Sequence, residues 1–130
     1  MTDSLEIEQL LERVNNAWAH GPTEGMVETI GACFDEAMVI AGGPEVQVRG
    51  RGRVQCATSY ASFLRICTLH ECGFDPPAIE VTGPTAVAVC GWRMTFEHEG
   101  RIHRESGRDI FVFSKATGRW LAVWRAMLGR

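Results

Sequence analysis

Apolar residues recur three and four apart through the first half of the chain and on alternate positions through its last third, which separates a helical half from a strand-rich one. Asp3 with Glu6 marks a helix start, and Leu5, Leu10, Leu11, Val14, Ala17 and Trp18 follow as one stripe until His20-Gly21-Pro22 stops it. Thr23 is placed to cap a short second helix whose buried side is Met26, Val27, Ile30, Cys33 and Phe34, closed by Asp35-Glu36. Met38 to Ala41 reads as a brief strand, Gly42-Gly43-Pro44-Glu45 as a turn, and Val46 to Arg49 as a second strand. Val54, Ala57, Tyr60, Ala61, Phe63, Leu64 and Cys67 then predict a third helix over about residues 51–67. Leu69 to Val81, broken by Pro76-Pro77, predicts an irregular strand at an edge or with a bulge.

From Ala86 to Met127 the pattern predicts three antiparallel strands with chemically opposite faces. With turns at His98-Glu99-Gly100-Arg101 and Lys115-Ala116-Thr117-Gly118, Cys90 is expected opposite Asp109, and Asp109 opposite Trp124. One face then holds Cys90, Trp92, Met94, Phe96, Asp109, Phe111, Phe113, Trp120, Ala122, Trp124 and Ala126. The other holds Arg93, Thr95, Arg104, Ser106, Arg108 and Arg125 among Ile110, Val112, Leu121, Val123 and Met127. Asp109 is the one carboxylate on the aromatic face, where an acid must be paired, protonated or used. The order of elements predicts one α+β domain spanning residues 1–130, with its helices gathered on one side of a mostly antiparallel sheet.

A hydrophobic fraction of 45% and a charged fraction of 22% are those of a globular protein with a real core. The net charge of −3 offers no attraction for phosphate backbones, so no nucleic-acid partner is expected. No apolar run approaches the roughly 20 residues of a membrane span, so no membrane partner is expected either. The cysteines number five, form no CxxC pair, and read as free thiols in a reducing cytoplasm.

Several strings carry a family resemblance: Asn16-Ala17-Trp18-Ala19-His20-Gly21, Val48-Arg49-Gly50-Arg51, Gly83-Pro84-Thr85-Ala86-Val87-Ala88, and above all Ser106-Gly107-Arg108-Asp109-Ile110-Phe111-Val112-Phe113 followed by Gly118-Arg119-Trp120-Leu121-Ala122-Val123-Trp124-Arg125. Together they resemble the nuclear transport factor 2-like superfamily, and within it the SnoaL-like branch of small bacterial proteins. The resemblance implies a curved antiparallel sheet folded around three helices into a cone, with an apolar pocket between them. Members of that superfamily include polyketide cyclases, ketosteroid isomerases, dehydratases, epoxide hydrolases and non-enzymatic binding or assembly domains, so fold does not choose among functions. By resemblance to SnoaL-type cyclases the catalytic aspartate falls on Asp109, and its histidine partner near Thr95, where this chain has no histidine.

In such a cone Trp18, Tyr60, Phe63, Trp92, Met94, Phe96, Phe111 and Trp124 are the expected ligand-binding lining, with Asp109 as the catalytic candidate. An apolar surround suits a carboxylate to general-base work on a carbon acid. The structural alternative is an acid neutralised by Arg108 or Arg125 through a strand bulge. His98 and His103 read as lying on opposite faces, so no metal and no cofactor is expected. The expected function is binding of a small apolar or aromatic metabolite, with cofactor-independent isomerase, cyclase or dehydratase chemistry by Asp109. The alternative is a non-enzymatic ligand-binding or dimerisation domain. The resemblance also implies a homodimer through the outer sheet face, where the apolar strip between the arginines would otherwise lie in water.

Overall fold

A computed structural model describes residues 2–129. The chain runs α1 (Asp3–His20), α2 (Met26–Gly31), β1 (Phe34–Gly42), β2 (Gln47–Arg51), α3 (Arg53–Ile66), β3 (Thr68–Phe74), β4 (Ala78–Thr82), β5 (Thr85–His98), β6 (Arg101–Ser114) and β7 (Leu121–Gly129). The Thr2 hydroxyl caps α1 by accepting from the Leu5 amide at 3.2 Å, and Gly21 ends it at φ +62°, a conformation that favours glycine. Ile7, Leu10, Leu11 and Val14 form the buried side of α1, whereas Leu5, expected in the stripe, is 43% exposed. Helix α2 is shorter than its apolar pattern, because Phe34 leaves it to pair with Ala122 as the first residue of β1.

The sheet has the order β2-β1-β7-β6-β5-β3 and is curved and unclosed. All pairings are antiparallel except β1 with β7, which is parallel because α3 and the long strands intervene. The interrupted segment around Pro76-Pro77 is two strands. β3 pairs with the second half of β5 and β4 with the first half, so both lie along one edge where missing proline donors cost no ladder bond. The hairpin of β5 and β6 has the expected register: His98 pairs Arg101 and Cys90 pairs Asp109.

The β6 and β7 register departs from strict alternation. Phe113 pairs Ala122 but Val112 pairs Trp124, so Val123 is an extra residue and β7 carries a bulge there. Beyond it every side chain of β7 changes face. Asp109 therefore lies opposite Met127, Phe111 lies opposite Arg125, and Trp124 pairs with Val112 on the outer face. The core fills the concave side, with Ile7, Met26, Ile30, Phe34, Met38, Cys56, Ala88 and Phe113 fully buried.

The chain start is tied to the last hairpin. Asp3 Oδ1 accepts from the Trp120 indole at 2.9 Å and from Lys115 Nζ at 3.2 Å. The indole bond first, then the lysine, holds the Asp3 pKa below its ordinary 3.8. A lowered folded pKa means the folded state binds its proton less readily, so this contribution is full above the unfolded value and fades as pH falls through the folded one. Asp3→Asn is accordingly expected to lower the melting temperature at pH 7, with the gap closing below about pH 3.8 and narrowing in high salt. Melting curves of the two proteins from pH 7 down to pH 3 check this, and a gap independent of pH would refute it.

Candidate functional site

Between the helices and the concave sheet lies a cavity of about 310 Å³. Its wall takes Asn15 and Trp18 from α1, Ser59, Tyr60 and Phe63 from α3, Cys72 and Phe74 from β3, Trp92 and Met94 from β5, Asp109 and Phe111 from β6, and Arg125 and Met127 from β7. A larger hollow of about 810 Å³ opens between the end of α1 and the β3 edge, but Glu71, Arg93 and Arg104 on its walls are exposed side chains suited to water. The smaller, apolar cavity is the candidate site.

One polar group organises its depth. Asp109 is 6% exposed; its Oδ2 accepts from Arg125 Nε at 2.9 Å and Nη2 at 2.6 Å, and its Oδ1 accepts from Trp92 Nε1 at 3.2 Å. The bulge at Val123 is what brings Arg125 to the same face as Asp109. The guanidinium carbon lies 4.9 Å from the Tyr60 ring centre and 5.6 Å from that of Phe111, in cation–π contact with both. Burial works against the charge on Arg125, and Tyr60 and Asp109 beside it outweigh that, so its pKa is raised. Burial pushes the Tyr60 hydroxyl up to about 12, and burial together with the Asp109 charge does the same to the Cys90 thiol. Both groups stay protonated and neutral at physiological pH.

Glycine at 107 makes the Trp92 contact possible. A Cβ there would meet Trp92 Cζ2 at 2.7 Å and the Leu128 carbonyl oxygen at 2.8 Å, so only a bare backbone lets the indole cross β6 to reach Asp109. On the opposite wall the Trp18 indole donates to the Tyr60 carbonyl at 3.0 Å and its ring packs 5.5 Å from Phe63, fixing α1 against α3.

Of the residues expected to line the cavity, Trp18, Tyr60, Phe63, Trp92, Met94, Phe111 and Asp109 come together there. Phe96 does not: it packs behind Phe63 at 5.2 Å and stacks on His103 at 5.0 Å, closing one end of the cone. Trp124 does not either, because the bulge turns it to the outer face, and the same shift corrects Arg125 and Met127 from outer to inner. His98 and His103 lie on one face, since Phe96 pairs His103 two residues before His98. Among the described residues no group of three His, Cys, Asp or Glu side chains is placed to hold a metal. Arg125 is the residue the alternation misassigned, and its one sequence signal was the lone inward acid on the neighbouring strand. Asn15, Ser59, Cys72 and Phe74 carried no signal beyond being polar or apolar residues on lining elements.

No family model matches the chain, and no curated protein matches it. Among solved structures it is similar to a nuclear transport factor 2-like protein from Cytophaga hutchinsonii, at 13% identity over 100% of both chains with a TM-score of 0.76. It is similar to a ketosteroid isomerase-like protein from Erwinia carotovora atroseptica, at 15% identity over 99% of this chain and 98% of that one, TM-score 0.78. A nuclear transport factor 2-like protein with a cystatin-like fold from Novosphingobium aromaticivorans aligns at 20% identity over 96% and 80%, TM-score 0.71. The chain thus has the nuclear transport factor 2-like, cystatin-like fold, an α+β cone. These likenesses carry the fold and do not single out the SnoaL-like branch.

Proposed function

We propose that the chain binds a small, mostly apolar or aromatic molecule inside the cone. The observation that carries this reading is the cavity: about 310 Å³ walled by Trp18, Phe63, Phe74, Trp92 and Met94, which the rings leave open. Packed interiors leave few voids larger than a water molecule, and this volume is in the range of small-molecule sites. Enolate chemistry of the isomerase, cyclase or dehydratase type needs a base, and Asp109 is the one carboxylate in the wall among the described residues. Both its oxygens are engaged by Arg125 and Trp92. That geometry suits Asp109 to holding Arg125 in place more than to removing a proton, and it supports binding over turnover.

A naphthalene probe is expected to quench tryptophan emission saturably through Trp18 and Trp92, and to do so equally in Trp124→Phe, whose ring is outside. Phe111→Ala should weaken that binding by about 1–3 kcal/mol, the transfer energy of a buried aromatic side chain. Emission that declines without saturation, or binding lost in Trp124→Phe, would sink the cavity reading.

A second observation supports a homodimer. Val87, Val89 and Leu128, each more than a third exposed, join Ile110, Val112 and Trp124 in an apolar strip on the outer face of β5, β6 and β7. A second copy of the chain is the proposed cover. The reducing cytoplasm is the proposed location, in keeping with five free thiols, and among the described residues no helix is long and apolar enough to cross a membrane.

A further inference from the structure

We infer that Asn15 on the helical wall is the ligand's hydrogen-bonding anchor, and that the ligand carries a group that accepts and donates side by side, as a carboxamide or lactam does; this rests on the cavity being a ligand site. Asn15 holds an inward position of α1, with Leu11 one turn before it and Trp18 one turn after. Leu11 is buried and Trp18 stands in the cavity wall, so the side chain between them shares that face. Apolar residues hold the rest of the stripe, and asparagine is a poor helix former, so neither packing nor helix propensity accounts for an amide there. Every other wall side chain that bears nitrogen or oxygen is engaged. Trp18 donates to the Tyr60 carbonyl at 3.0 Å, Trp92 to Asp109 at 3.2 Å, and the Ser59 hydroxyl to the Cys56 carbonyl at 2.6 Å. Asp109 accepts from Arg125, which also hydrogen-bonds Tyr60, so the floor is satisfied within itself. The Asn15 amide has no partner among the described residues. It is half-buried rather than sealed, since every fully buried side-chain nitrogen or oxygen among them is bonded, and the hollow it borders is the cavity.

The chemistry of that amide selects the ligand class. Asn15 offers N–H donors on Nδ2 and an acceptor on Oδ1, fixed side by side and uncharged. Asp109 offsets the charge of Arg125, so a carboxylate entering the cavity would be buried without a counter-charge of its own. A ketone engages Nδ2 and leaves Oδ1 unmatched, and a hydroxyl meets one end at a time. A carboxamide or lactam meets both: its oxygen accepts from Nδ2 while its N–H donates to Oδ1. The apolar remainder of such a molecule then lies against Trp18, Phe63, Trp92 and Met94.

Three probes of one shape separate these cases: naphthamide, acetylnaphthalene, in which a methyl replaces the NH2, and the naphthoate anion, each titrated calorimetrically into the whole protein. Naphthamide is expected to bind about tenfold more tightly than the ketone, in line with one further hydrogen bond made in an apolar surround, and the anion is expected to bind most weakly. Asn15→Leu keeps the size of the side chain and suits both the helix and its stripe; it should erase or reverse the preference for naphthamide over the ketone. The side-chain carbonyl carbon of Asn15 should move downfield in the NMR spectrum with naphthamide and less so with acetylnaphthalene. Equal affinity for the two neutral probes in the wild type, a preference that survives in Asn15→Leu, or tightest binding of naphthoate overturns the assignment of Asn15 and leaves the cavity reading standing. Saturable binding by none of the three overturns both. If Asn15→Leu does not fold, the wild-type ranking and the carbon shift decide.

Discussion

Replacing Asp109 by Asn is expected to lower the unfolding free energy by about 3 kcal/mol, because removing one partner of a buried pair strands the other charge. The shape of the side chain is kept, so the loss reads the charge on Arg125 left without its counter-ion rather than a packing defect. Arg125 is 17% exposed on its side chain and borders the cavity, which places the cost at the low end of the range for buried pairs. The melting temperature should fall on the order of 10 °C. The companion result is sharper. Asp109→Leu combined with Arg125→Met should recover most of the loss, since apolar replacement of a whole buried pair is often neutral or stabilising. A double variant as unstable as the single one would mean that Asp109 stabilises the fold through Trp92 instead, and Asp109→Asn at wild-type stability would mean that the pair carries no energy.

Val112→Glu is expected to convert a dimer into monomers. Val112 lies mid-strip, paired across the sheet with Val87 and Trp124, and its change places a charge where a second copy would have to bury it. Covering the strip gains about 25 cal/mol for each Å² of apolar surface taken from water, before association costs are subtracted. An unpaired buried carboxylate outweighs gains of that size. Sedimentation of the wild type as a dimer at micromolar concentration, and of Val112→Glu as a folded monomer, is the expected pair of results. A wild type that sediments as a monomer would leave the outer face an exposed surface.

The helices were legible because α1 and α3 each bury one stripe: Ile7, Leu10, Leu11 and Val14 in one, Cys56, Ala57 and Tyr60 in the other. β5 and β6 were legible for a different reason. A two-residue turn at Glu99-Gly100 fixes their register over its whole length, with Glu99 at φ +52° and Gly100 at φ +79°. The position of Asp109 in the cavity follows from that hairpin alone. β7 was legible as a strand but not in its facing, because an extra residue within a strand leaves no mark on composition or apolar spacing. Trp120 and Ala122 did turn inward as alternation requires, and the error begins only after Val123. Leu5 and Phe34 were misplaced for a milder reason: apolar spacing near an element end fits more than one phase, and tertiary pairing decides.

The extra residue in β7 makes the chemistry of the cavity a matter of parity. Were Val123 to take a place in the ladder instead of bulging, each side chain from Trp124 onward would keep its chemical identity and reverse its facing, so that an indole would replace a guanidinium beside Asp109 and the arginine would point to water. Among chains of this fold, whether this residue bulges or joins the ladder is therefore equivalent to exchanging several lining residues at once. Two such chains that look alike letter by letter can present a salt-bridged floor in one case and an aromatic one in the other. Residue-by-residue alignment of β7 with an unbulged strand compares inner with outer positions unless it places a gap at Val123, and ligand preference in this architecture is free to change by gain or loss of a bulge where substitution would need several steps.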